Sequence, residues 1–291
     1  MDALTYPQIR DTPGALKVRG TAAVEIGVTL CLLVLIYHHT AVDLFQDWWN
    51  EPSLSQGLLI PPLAFVFAWL DRKALLAIPS QPSALGLLAV SAGCLTYLLG
   101  KLGAEYFLQR ISMVVVLAGL IWIAWGAVRL RRLAFPLTLL ATMVPLPTMI
   151  YNALTAPLQL FASAAATYLS QLCGVSIYRD GNIIHLAHIS LGVEEACSGL
   201  NSFSALVVAA LLLGYFLCNR MSSRMVLLLI SAPLSIAVNV LRVAATAVLA
   251  DYNAEFALGF YHMFAGWMIF LVGFLALLGM AKLVHAVMEP R

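Results

Sequence analysis

The stretch Met225–Ala250, MVLLLISAPLSIAVNVLRVAATAVLA, holds one charged side chain, Arg242. Wound as an α-helix it is roughly 39 Å long, more than the ~30 Å hydrocarbon core of a bilayer. A run that is apolar all round needs lipid or a very large core around it, so the stretch predicts a membrane-spanning helix. The whole chain agrees. Of its 291 residues 62% are hydrophobic and 10% charged, and its mean hydropathy is +0.92, more apolar surface than a soluble core of this size can hide. Sixteen basic against fourteen acidic residues leave no broad basic field, which excludes nucleic acid as a partner.

Working outward from this stretch gives an all-α integral membrane protein with about eight transmembrane helices. The expected spans are Thr21–Tyr37, Leu54–Leu70, Ser83–Gly100, Ile111–Val128, Leu133–Ile150, Leu200–Leu217, Met225–Ala250 and Met263–Val284. The second is the weakest, because Pro61 and Pro62 fall inside it. Twelve of the sixteen basic residues collect on one side: Arg10, Lys17, Arg19, Arg72, Lys73, Arg129, Arg131, Arg132, Arg220, Arg224, Lys282 and Arg291. The positive-inside rule makes that side, with both termini, cytoplasmic. No small-residue cleavage site follows the first run before Tyr37, so it reads as a retained span.

The longest non-cytoplasmic stretch is 151–199. Within Asn152–Leu172, apolar residues at helical spacing predict an interfacial or re-entrant amphipathic helix; a ninth span is the alternative, and the charge pattern argues against it. Val175–His188 alternates apolar and polar residues around Asp180-Gly181, which predicts a small β-hairpin on the same side. With no linker or repeat, residues 1–291 read as a single polytopic membrane domain, 1–20 forming a cytoplasmic N-terminal segment.

Three residues at the mouths of three successive spans carry candidate chemistry. Cys197, in Glu194-Glu195-Ala196-Cys197-Ser198-Gly199, lies one turn before the helix expected from Leu200. A helix N-terminus favours an anion and so the thiolate, while Ser198 and Gly199 permit close backbone approach and N–H donation to an oxyanion. Arg242 is the basic residue inside a span, and His262 opens the last one. Topology sends all three to the non-cytoplasmic face. A thiol, a base of near-neutral pKa and a fixed cation suit acyl transfer: Cys197 attacks a peptide carbonyl, His262 moves protons, and Arg242 stabilises the oxyanion or positions the substrate. Asn239, one turn from Arg242, is placed to steady the guanidinium. Glu194 and Glu195 either orient His262, bind a polar part of the substrate, or form a solvated loop pair. Cys31, Cys94, Cys173 and Cys218 read as small buried packing residues. His185 and His188 fall on opposite faces of a strand, so no metal site is expected, and no cofactor is implied.

The run Val193 to Leu200, followed by Asn239 to Arg242 and then His262, resembles the exosortase family. Trp49–Leu70, the proline-marked Phe135–Pro147 and the Gly174–Ile184 stretch are similar to other parts of it, and the likeness covers about residues 45–275. The resemblance implies a cysteine transpeptidase or protease of the bacterial inner membrane, with its active site facing the periplasm. Its partners would be the lipid bilayer and membrane-anchored proteins with a C-terminal sorting signal, typically a Pro-Glu-Pro motif, a hydrophobic span and a basic tail. The family's cysteine, arginine and histidine fall on Cys197, Arg242 and His262. Two departures stand out: Ser55-Gln56-Gly57 where many members have Ser-His-Gly, and Asn201 where many have a basic residue. The rival reading is a transporter or channel in which Arg242 lines a polar pathway.

Overall fold

The computed structural model describes residues 13–193, 200–257 and 259–289, excepting the side chains of 13–26, 30, 200, 201 and 262. Helix dominates. Two compact units are formed, Met1–Gln46 and Asp47–Arg291. The described residues of the first are the greater part of one long helix, α1 (Pro13–Asn50). The second holds everything else.

In the second unit a short 3-10 turn, Ser55–Leu59, leads into α2 (Ile60–Leu70). Pro61 and Pro62 occupy the first turn of α2, where a missing N–H breaks no helical bond, and this is why the prolines do not destroy the expected span. Gly57 lies so close against Trp48 that a Cβ would sit inside the indole, whose Nε1 donates to Met143 O at 3.2 Å. After α3 (Arg72–Ala77), helices α4 (Leu85–Leu102) and α5 (Tyr106–Trp125) form a tight hairpin. Gly93 lets the two backbones approach, since a Cβ there would lie 2.6 Å from Val116 Cγ2. Glu105 caps α5 by accepting from the Leu108 N–H at 3.1 Å. At the other end Arg132 of α6 (Ala127–Arg132) pairs with Asp71 at 2.9 Å.

The run Leu133–Ile150, expected as one span, is not one helix. It forms α7 (Ala134–Thr142), a break, and the start of α8 (Thr148–Leu172). Prolines at 145 and 147 disfavour helical backbone at the residues before them, and Pro147 itself is extended at φ −54, ψ 133. The stretch expected as an interfacial or re-entrant helix is accordingly the greater part of α8, and it packs lengthwise on α10 (Met221–Tyr252). Ser170 Oγ reaches Ala244 O, while Leu158 and Pro233 line the far end of the groove between the two helices, so they run side by side in the same direction.

The β element is larger than expected. Strands β1 (Tyr178–Asp180), β2 (Ile183–His185) and β3 (Ser190–Gly192) form an antiparallel meander in that order. Asp180 pairs with Ile183, so the turn residues are Gly181 and Asn182, and not Asp180 and Gly181. Gly181 takes φ +59, which suits glycine at the first position of a two-residue hairpin turn. Ser163 on α8 donates to Gly181 O at 3.1 Å and ties the hairpin tip to that helix.

Helices α9 (Leu200–Leu217), α10 and α11 (Gly259–Met288) complete the chain, with a 3-10 turn at Ala254–Ala257. Three apolar cores result. Leu206, Leu227 and Leu277 join α9, α10 and α11; Ile60, Phe67 and Leu139 join α2 and α7; Ala166, Ile184, Val193 and Val243 join α8, the sheet and α10. Large apolar side chains also face outward, Leu88, Leu98 and Trp267 among them, as lipid solvent permits. By length and composition five described helices can cross a membrane: Gly27–Asn50, Leu85–Leu102, Tyr106–Trp125, Met221–Tyr252 and Gly259–Met288. Ser55–Leu70 and Ser202–Leu217 are shorter apolar helices. This is an all-α multi-pass membrane protein.

Candidate active site

Arg242 sits in α10 within a row of buried polar residues, Ser231, Ser235, Asn239 and Thr246, spaced to share one helix face. Ser231 and Ser235 donate to carbonyls of their own helix, Leu228 O and Ala232 O, both at 2.7 Å. Asn239 is 1% exposed and lies one turn before Arg242, where the sequence puts a residue able to steady the guanidinium. The arginine is half-buried and its Nε is shielded from solvent.

On the α11 side the guanidinium lies against a glycine. Gly266 faces it, and a Cβ at that position would lie 3.3 Å from each of Cζ, Nε and Nη2. Lower on the same interface Gly273 faces Val238. These two contacts fix an antiparallel register, 242 against 266 and 238 against 273. Position 262 is one turn before Gly266 on the same helix face, so the α11 backbone carries His262 to the neighbourhood of Arg242. Its side chain is outside the described set.

The segment 194–199, with Glu194, Glu195, Cys197, Ser198 and Gly199, lies outside the described residues, as does the side chain of Asn201. Both ends of that segment are described. On one side the Val193 N–H donates to Asn182 O at 2.9 Å, Asn182 Nδ2 donates back to Val193 O at 3.2 Å, and the valine is 2% exposed. It belongs to the same core as Val243, Ala244 and Ala247, the first of them next to Arg242. On the other side α9 begins at Leu200, as the sequence indicates, and packs on both α10 and α11. The structure thus sets Val193 in one core with Val243, next to Arg242, and starts α9 at Leu200 on a helix packed against α10 and α11.

Sequence reasoning missed two contributors, Gly266 and the Asn182–Val193 clasp. A glycine four residues after His262 in an apolar helix was the available signal for the first. Arg110 at the start of α5 is 6% exposed and bonded to Asp47 Oδ2 at 2.5 Å. Cys31, Cys94 and Cys173, expected to be buried, are exposed because each lies on an outward helix face or end; Cys218 is buried. His185 stacks on Tyr178 at 4.6 Å and bonds Ser190 Oγ at 2.8 Å. Among the described residues no group of three or more His, Cys, Asp or Glu could hold a metal. The groove between α8 and α10, about 750 Å³, is lined by Leu158, Phe161, Leu169, Pro233 and Val240 among others and offers no titratable group.

A family model described as transmembrane exosortase matches residues 48–279, from Trp48 to Gly279. The chain belongs to the transmembrane exosortase family. The match spans the sheet, the 194–199 segment, Arg242 and position 262 of this exosortase. No curated protein and no solved structure matches the chain.

Proposed function

We propose that this exosortase is a cysteine-dependent transpeptidase or endopeptidase that cleaves C-terminal sorting signals of membrane-anchored proteins at the periplasmic face of the bacterial inner membrane. Convergence on Arg242 supports this most: α11 closes on its guanidinium at Gly266, one turn from position 262, and Val193 enters the core beside Val243. A transport pathway lined by Arg242 has no comparable support, since the arginine is packed against a neighbouring helix and the family match spans most of the chain.

In this reading His262 takes the Cys197 proton and the sulfur attacks the carbonyl carbon of the scissile peptide. The carbonyl π-electrons move to oxygen, where Arg242 and the backbone N–H groups of Ser198 and Gly199 meet the charge. The C–N bond then breaks, its electron pair stays on nitrogen, and His262 returns the proton to the leaving amine. A thioester remains on Cys197 until an acceptor, water or the hydroxyl of a lipid or sugar, attacks its carbonyl carbon; the C–S bond breaks, and the acceptor's proton passes through His262 to the departing Cys197 sulfur. Asn239 steadies Arg242 from the preceding turn, and Glu194, Glu195 and Asn201 contact the substrate's polar segment. No cofactor enters the scheme.

The test is processing of a tagged substrate by Cys197→Ala and Cys197→Ser. Both variants are expected in the membrane at normal levels with processing abolished; normal processing by either would remove Cys197 from the mechanism.

A further inference from the structure

The sheet ends in an edge that leads straight into the cysteine segment. Among the described residues, the order β1-β2-β3 leaves β3 with β2 on one side only. Its ladder fixes which backbone groups point where. Val193 bonds across to Asn182, Ile189 accepts from Leu186, and Leu191 lies opposite Ile184. In an antiparallel pair, residues that exchange bonds alternate with residues whose N–H and C=O point away. Ile189, Leu191 and Val193 therefore bond inward to β2, and the N–H and C=O of Ser190 and Gly192 point along the outer edge. Both residues are exposed, and neither side chain is large enough to screen its backbone. The opposite edge, β1, is exposed too, but its residues Tyr178, Arg179 and Asp180 carry large or charged side chains and lead back into α8, away from the cysteine segment.

We propose that the outer edge of β3 is the docking strand for the substrate, whose extended segment adds to it as a fourth strand. The inference rests on the transpeptidase reading above. Ser190 and Gly192 present main-chain donors and acceptors about 7 Å apart, the two-residue repeat of an extended peptide and of no helix. Continuity with the site supplies the rest, because Gly192 is followed by the anchored Val193 and, five residues on, by Cys197. In an added strand, alternate residues face the edge. A Pro-Glu-Pro segment then fits in one register, with the glutamate donating and accepting at β3 and both prolines turning their missing N–H groups outward.

The test uses the full-length wild-type exosortase in nanodiscs and a synthetic peptide with a Pro-Glu-Pro motif and its apolar span, scanned by backbone N-methylation one residue at a time. Methylation at the motif glutamate is expected to raise KM about fivefold or more with kcat nearly unchanged, since one main-chain bond is lost. Sensitivity is expected to alternate along the non-proline positions. Gly192→Pro, which removes one outward N–H and no ladder bond, is expected to raise KM similarly. A scan with no sensitive position, or with uniform sensitivity, would overturn edge docking while leaving the cysteine mechanism intact. Failure of the wild type to process any unmodified signal peptide, or processing by Cys197→Ala, would overturn both.

Discussion

Replacing Gly266 separates the position of Arg242 from the stability of the helices that hold it. An alanine Cβ would meet Cζ, Nε and Nη2 of Arg242 at 3.3 Å. Carbon contacts are most favourable at about 3.5–4.0 Å, so the guanidinium must retreat by a few tenths of an ångström. Alanine is also a better helix former than glycine by about 1 kcal/mol, which offsets that crowding. Gly266→Ala is therefore expected to unfold at the same temperature as wild type or slightly higher, with kcat down only a few-fold. Leucine is different. Its branched end fills the space that the guanidinium now holds and forces a shift of about 1 Å or more, and displacements of that size cost on the order of a hundredfold in rate. Overpacking adds about 1–3 kcal/mol of destabilisation. The assay is steady-state cleavage of a sorting-signal peptide, reported as separate kcat and KM, beside thermal unfolding in detergent. Loss of kcat that grows from Ala to Leu while the Ala variant keeps its unfolding temperature supports a positioned Arg242. Wild-type kcat in Gly266→Leu would refute it.

Two further expectations concern charge. Arg242→Lys replaces a planar fork by a point charge and is expected to lose most of its kcat in the same cleavage assay while keeping the cation. At the far end of α11, the Glu289 carboxylate accepts from the backbone N–H groups of Arg220 and Asn219, which hold its pKa down at about 2. A depressed carboxylate stabilises the fold above its ordinary pKa and loses that contribution as pH falls toward the folded value. Glu289→Gln is therefore expected to lower the unfolding temperature at pH 7, with the gap to wild type closing between about pH 4.5 and 2; a gap independent of pH would exclude the carboxylate's charge as the cause.

Most of the helical framework was legible because the apolar runs are long and their breaks carry arginines. Met225–Ala250 became the core of α10, and the run after Gly199 began a helix at Leu200. Prolines marked where reading by hydropathy alone went astray. Pro61 and Pro62 fit a helix start, whereas Pro145 and Pro147 split Leu133–Ile150, and only position relative to a helix end distinguishes the two cases. The third strand was hidden because Ser190–Gly192 is too short to show alternation and draws its order from the ladder to β2. Arg242 was legible as a charge in a lipid-length helix. Its neighbour Gly266 was not, since the sequence gives a helical glycine no partner until α10 and α11 are placed in register.

In the proposed function, Arg242, His262 and the 194–199 segment serve one step, the passage of an acyl group through Cys197. Rapid acid quenching of the exosortase during turnover of a signal peptide, followed by mass analysis of its fragments, tests this directly. The account predicts a hydroxylamine-sensitive acyl adduct on the fragment bearing Cys197, formed before product release and lost in His262→Gln, which cannot take the thiol proton. Continued turnover with no adduct, or an adduct on Cys31, Cys94, Cys173 or Cys218, would contradict it.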